Sequence, residues 1–204
     1  MKNIMNGVAA GVMIAIGGTV YLSCETKYVG AVLFSVALLC ICYRGYALFT
    51  GKVGFLIERH DKKAFSVLFT ALAGNAAATC LLGRLLRRVL PAAGATARAL
   101  CEGKMDQLWW QTLVRAVFCG ILMYLAVAVY RDQKSPIGIL FCVPVFILAG
   151  FEHSIADMFY FAASGMVSGK AFVFLWIVIF GNAVGALLMA LLERLSREKA
   201  NSVS

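Results

Sequence analysis

Apolar and polar residues run along this chain in long blocks rather than in alternation. Six apolar blocks, at about 4–23, 29–50, 64–86, 108–130, 136–161 and 171–192, each approach the roughly 20 residues a helix needs to cross a bilayer. Polar punctuation separates them: CETKY, ERHDKK, a longer stretch over 87–107, RDQKSP, SGMVSGK and the tail SREKANSVS. The pattern predicts an all-α membrane protein of six transmembrane helices, with residues 1–204 as a single transmembrane domain and no soluble domain. The N-terminal block reads as a first transmembrane helix rather than a signal peptide, because further apolar blocks follow it.

Composition agrees with this reading. Hydrophobic residues make up 62% of the chain and charged residues only 14%, too few for a soluble domain. The net charge of +9 does not indicate nucleic acid, because the basic residues lie mainly between apolar blocks and form no aromatic-interleaved surface. Placed by alternate crossings with the N-terminus inside, ten Lys and Arg fall on the cytoplasmic side and seven on the other, a weak preference for cytoplasmic termini. The run from Arg84 to Lys104 opposes that preference. It suits either an outer vestibule that gathers anions or contact with lipid headgroups. The seven cysteines show no zinc-site spacing and read as small packing residues. No metal cluster, cofactor motif or nucleophile–base pair is evident, so an enzyme is not expected.

The stretch GFEHSIADM, Gly150–Met158, places Glu152, His153 and Asp157 inside an apolar block. Ionisable residues at membrane depth are costly and normally face a protein interior or a watery cavity. A related interruption, Phe49-Thr50-Gly51-Lys52, lies in the first half. Each is followed, in the next block, by a Gly-Asn pair: Gly74-Asn75 and Gly181-Asn182. Three blocks per half is odd, so two similar halves, about 1–90 and 104–204, have opposite orientation. Polar breaks at matching places in inverted halves point to a midplane site made by broken second and fifth helices.

LFTGK at 48–52, GN at 74–75, GFEHSIADM at 150–158 and GNAVGALL at 181–188, in that order and with six spans, resemble the formate/nitrite transporter family, which includes hydrosulfide channels. The resemblance covers nearly the whole chain. It implies an aquaporin-like protomer in a homopentamer, each protomer with its own pore for a small monovalent anion or its conjugate acid, in the cell (inner) membrane. It implies breaks at Leu48–Lys52 and Gly150–Ser154, with Thr50 and His153 at the pore centre. Two apolar constrictions fall on Phe34, Leu38, Leu48, Phe49, Val127 and Phe146.

Four positions depart from the family pattern. An acidic residue is replaced near Ala47, asparagines by Tyr124 and Asp157, and an anion-attracting lysine by Leu108. Lys104 and Arg115, at offsets of four and seven from Leu108 and on one helical face with it, are candidates to replace that charge. The longer N-terminal helix linked with gating in the family has almost no counterpart before the first block.

The chemistry follows from desolvation. An anion crosses dry apolar rings only at large cost, whereas its neutral acid does not carry that penalty. His153 titrates near neutral pH when unperturbed; it either donates a proton directly or holds a hydrogen bond while water supplies one. Glu152 is expected to accept from loop N–H groups, and Asn75 and Asn182 to bind freed backbone groups. Arg44 and Arg115 either snorkel or find partners, and Asp157 is a candidate partner for either. The competing readings are a changed or neutral permeant on the same fold, a non-conducting scaffold and, least supported, a membrane enzyme.

Overall fold

Five apolar blocks supply helices long and apolar enough to cross a membrane, and the block at 136–161 is divided between two shorter ones. The structure, a computed structural model, describes the backbone of residues 2–203 and the side chains of residues 3–198. Among the described residues there are nine α-helices and no strand. They are α1 (Lys2–Ser23), α2 (Lys27–Arg44), α3 (Phe49–Lys52), α4 (Lys62–Val89), α5 (Pro91–Met105), α6 (Trp109–Gln133), α7 (Ile137–Leu148), α8 (Ser154–Ser164) and α9 (Gly169–Val203). A 3-10 segment, Val53–Ile57, follows α3.

Close helix pairs rest on small residues. A Cβ added to Gly7 of α1 would meet the Ala71 carbonyl of α4 at 2.8 Å, and one on Gly74 would meet the Ile4 carbonyl at 2.7 Å. In the second half, a Cβ on Gly181 of α9 would meet Ala116 of α6 at 2.5 Å. Without a hydrophobic drive between helices in lipid, such close backbone approach is what holds them together.

The two helix breaks are built alike. At the end of α2, Gly45 has φ 68° and Tyr46 N–H donates to the Ile41 carbonyl at 2.9 Å. At the end of α7, Gly150 has φ 70° and Phe151 N–H donates to the Phe146 carbonyl at 2.9 Å. Both are Schellman endings, which need the left-handed conformation that glycine adopts without a Cβ penalty. The chain then extends to Leu48 and His153, the residues preceding α3 and α8. The breaks therefore lie at 45–48 and 149–153. Residues 49–52, expected to be a loop, are the helical turn that follows, and Ser154 opens α8.

The stretch 87–107 is also not simply a loop. Pro91 starts α5, whose small residues Ala93, Ala97 and Cys101 are buried together with Lys104. Proline at the first helical position costs no hydrogen bond, and α5 packs on α8. Leu108 belongs to the next helix as its N-terminal flanking residue. Lys104 and Arg115 consequently lie on separate helices, not on the one continuous face that their offsets suggest.

Candidate functional site

The free backbone at each break is bound by one asparagine. Asn75 of α4 accepts from Phe49 N–H at 2.9 Å and donates to the Ala47 and Gly7 carbonyls at 2.9 and 2.8 Å. Asn182 of α9 accepts from Ser154 N–H at 2.9 Å and donates to the Glu152 and Ala116 carbonyls at 2.8 and 2.9 Å. Both are fully buried. Each amide ties a helix start, a loop carbonyl and a neighbouring helix into one unit, so the short helices are held in place.

Between these anchors His153 reaches Thr50. Its Nε2 lies 2.8 Å from Thr50 Oγ1, and its Nδ1 accepts from Ala156 N–H at 3.1 Å. An Nδ1 that accepts carries no proton, so in the neutral ring the proton is on Nε2 and is donated to Thr50. The Thr50 hydroxyl hydrogen is then free for another acceptor. Thr50 and His153 are both buried.

An aromatic series continues from the imidazole. Phe146 stacks on His153 with centroids 5.6 Å apart and planes 18° apart, and Phe34 meets Phe146 edge-on at 6.5 Å. Leu38, Leu48 and Val127 line a cavity of about 230 Å³ at the α3 end. Phe49 is buried in the core and lines neither that cavity nor the one at the α5 end. The cavity at the α5 end, about 550 Å³, is lined by Lys104, Gln107, Arg115, Gly150 and Glu152 among others. The 18 residues of α2 run from this cavity, near Lys27, to the other, near Tyr46. Buried Phe34 sits between the two.

Beside the imidazole is an ion cluster. Lys104 pairs with Glu152 and, at 3.0 Å, with Asp157. Gln107 donates to Glu152 Oε1 at 2.7 Å and accepts from Thr112. Asp157 Oδ2 and Ser154 Oγ are buried without a hydrogen-bond partner among the described residues. The Glu152 carboxylate takes a lysine and a glutamine, and among the described residues no loop N–H donates to it. Asp157 pairs with Lys104 and with neither Arg44 nor Arg115. Both arginines are exposed. Lys104 therefore lies against two carboxylates rather than free in the cavity. Tyr124 is buried and donates to Glu193 at 3.1 Å, away from the imidazole.

Sequence reasoning missed Gln107, which no motif contains and only the α5–α6 turn brings to Glu152. It also missed Lys52 as a lining residue of the α3-end cavity; its place in LFTGK was a signal. Among the described residues no cluster of three or more His, Cys, Asp or Glu is arranged for a metal ion.

The chain is similar to known membrane proteins. A family model described as Formate/nitrite transporter matches residues 1–195. The uncharacterized transporter YwcJ of Bacillus subtilis is 26% identical over 196 residues, covering 82% of this chain and 75% of that protein. Formate channel FocA of Haemophilus influenzae is 24% identical over 184 residues, covering 76% of this chain and 63% of FocA. A solved structure titled a pentameric formate channel with formate bound superposes with a TM-score of 0.76 at 19% identity, covering 100% of this chain and 97% of that one. That likeness is one of fold.

Proposed function

Because the chain belongs to the formate/nitrite transporter family, we propose that it carries a small monovalent anion, such as formate, nitrite or hydrosulfide, across the cell membrane as the conjugate acid. The observation that carries this reading is the Thr50–His153 contact, buried between two cavities and flanked by apolar side chains. Phe34 and Phe146 form the constriction on one side, and Leu38, Leu48 and Val127 that on the other, with Phe49 as packing behind them. An anion passing between these apolar side chains would lose its hydration, at a cost of several kcal/mol. The neutral acid avoids that cost.

In this mechanism His153 is a fixed donor rather than the proton source. Its Nδ1 is occupied by the Ala156 N–H, and a proton there would break that bond. Its Nε2–H holds Thr50, and the Thr50 hydroxyl hydrogen is offered to the permeant. The proton that neutralises the anion comes from the bulk solution and is relayed through water, so one proton crosses with each anion.

The wider frame is part of the same proposal. The matched breaks and the matched asparagines support six spans in two inverted repeats, about 1–90 and 104–204. Exposed apolar side chains such as Phe69, Phe141 and Phe180 suit lipid and neighbouring protomers in a homopentamer. The charge count favours cytoplasmic termini, which would put the α3-end cavity on the cytoplasmic side.

The test is internal pH in liposomes during gradients of formate, nitrite or hydrosulfide, with empty vesicles alongside. Acidification above the empty-vesicle rate, reduced in His153→Ala, supports neutral-acid passage. No flux from correctly inserted oligomers for any of these acids would rule it out for them.

A further inference from the structure

The cations at the two cavities are in different states. At the α5 end Lys104 is held by Glu152 and Asp157. At the α3 end the cavity is lined by Lys52, Arg131 and Lys134, and by no carboxylate. Arg131 is already clamped by both oxygens of Glu58 at 2.8 Å and contacts Asp132 at 3.1 Å. Asp132 also meets Arg197, while Asp61 caps the Ala64 N–H and contacts Arg59. Lys134 is exposed and lies 5.8 Å from the Tyr130 ring centroid, and among the described residues neither it nor Lys52 forms an ion pair. Lys52 is the more enclosed of the two. It is half-buried and also lines the adjoining cavity of about 350 Å³, where Arg59 and Lys63 outnumber Asp61.

We propose that Lys52 is the capture site for a small monovalent oxyanion at this mouth, a role that rests on the transport reading above. The residue lies two positions after Thr50 on the same short helix, and Gly51 between them lines the same cavity. Low-dielectric walls such as Leu48, Ile41 and Val127 strengthen the field of a charge placed there. An ammonium brings three donors and no acceptor, which suits a carboxylate or nitrite oxygen. A captured anion is released toward Leu48 and Val127 after it takes up a proton from the bulk solution, relayed through water. Lys104, neutralised by its two carboxylates, cannot attract an anion in the same way. At the α5 end Lys27 and Arg115 also line the cavity, opposed by Glu25 and Glu152, so Lys52 adds a capture charge at the mouth opposite to the one the family resemblance suggests.

The test uses 13C-formate as the probe, with binding read from its NMR relaxation on the protein held in nanodiscs. Lys52→Gln is expected to weaken binding about three- to fivefold, the scale of a partly exposed charge pair, with Lys52→Arg and the exposed Lys62→Gln each within about twofold of the parent. Equal binding by the parent and Lys52→Gln, or no binding by the parent, overturns the site. Liposome flux separates this from the transport reading. Flux whose half-saturation is unchanged in Lys52→Gln overturns the capture site alone. Lys52-dependent binding without any flux overturns the transport reading and leaves the site standing.

Discussion

His153 Nε2 stands 2.8 Å from Thr50 Oγ1, joining two residues 103 positions apart in the chain. Each comes from the short helix after a broken one, and each break is anchored by its own asparagine. The imidazole is held twice, by Thr50 and by the Ala156 N–H. It is a joint of the fold as well as the candidate centre of a pore.

Those two tasks are separable by substitution. His153→Asn keeps an effective helix N-cap but loses the ring that reaches Thr50. The variant is expected to assemble and to melt within about 1–2 kcal/mol of the parent, with the lost contact as the main cost. Its acid flux is expected to fall to near the empty-vesicle rate. Unchanged flux in a folded His153→Asn would show that the ring has no part in permeation.

Thr50→Val tests the hydroxyl. The Nε2–H loses its acceptor in a buried site, a cost of about 1–3 kcal/mol. Flux is expected to fall well below the parent rate. Thr50→Ser, which retains the hydroxyl, is expected to restore most of it. Liposome acidification rates with matched protein content decide between these outcomes.

The Lys104 cluster predicts an asymmetry of a different kind. Lys104→Met leaves Glu152 and Asp157 buried without their cation and is expected to destabilise by about 3–5 kcal/mol, as broken buried pairs do. The triple variant Lys104→Met, Glu152→Gln, Asp157→Asn removes all three charges and is expected to recover most of that loss. Thermal unfolding in detergent measures both. Comparable melting of the single and triple variants would mean that the cluster charges are not coupled.

Asp157→Asn alone removes one of two negative charges on Lys104 while keeping the side chain's shape. The partly relieved lysine is expected to hold anions more strongly at the α5 end. Half-saturation for formate should fall by about threefold, an effect of the size of one weak charge pair. A rise, or no change, would show that Lys104 does not influence the permeant.

The anchors are expected to matter for stability more than for selectivity. Asn75→Ala and Asn182→Ala each remove three hydrogen bonds and orphan one N–H and one loop carbonyl in the buried breaks, a loss of about 2–4 kcal/mol at roughly 1 kcal/mol per bond. Asn→Asp at either position removes both donors and is expected to be no better. Oligomer yield and melting temperature, compared with the exposed Arg44→Ala, check this.

Much of the site was legible because its residues break a rule of their surroundings. Polar Thr50, Glu152, His153 and Asp157 interrupt apolar blocks, and Asn75 and Asn182 each follow a glycine in a long apolar helix. Less legible were partners that depend on a turn. Gln107 and Lys104 lie in a stretch that reads as polar punctuation. Only the helix formed by Pro91–Met105 and its packing on α8 bring Lys104 to Asp157. Continuing that helix through Leu108 placed Lys104 and Arg115 on one face, which the turn at Asp106–Leu108 does not allow.

What the sequence determined by itself is what a short range of chain can encode. Apolar block length fixed the helical class, because a backbone in lipid must satisfy its own hydrogen bonds. Gly150 falls in the second break expected from the sequence, whereas Gly45, which ends α2, lies before the first expected break at Leu48–Lys52; both adopt the left-handed conformation that those endings need. Tertiary structure alone decided which charges meet. The loop carbonyls could find Asn75 and Asn182, and Lys104 could find two carboxylates while Lys52 kept none, only after helices distant in sequence had packed. The physical reason is that pairing energies depend on separation and burial, and neither quantity exists until the helices are in contact.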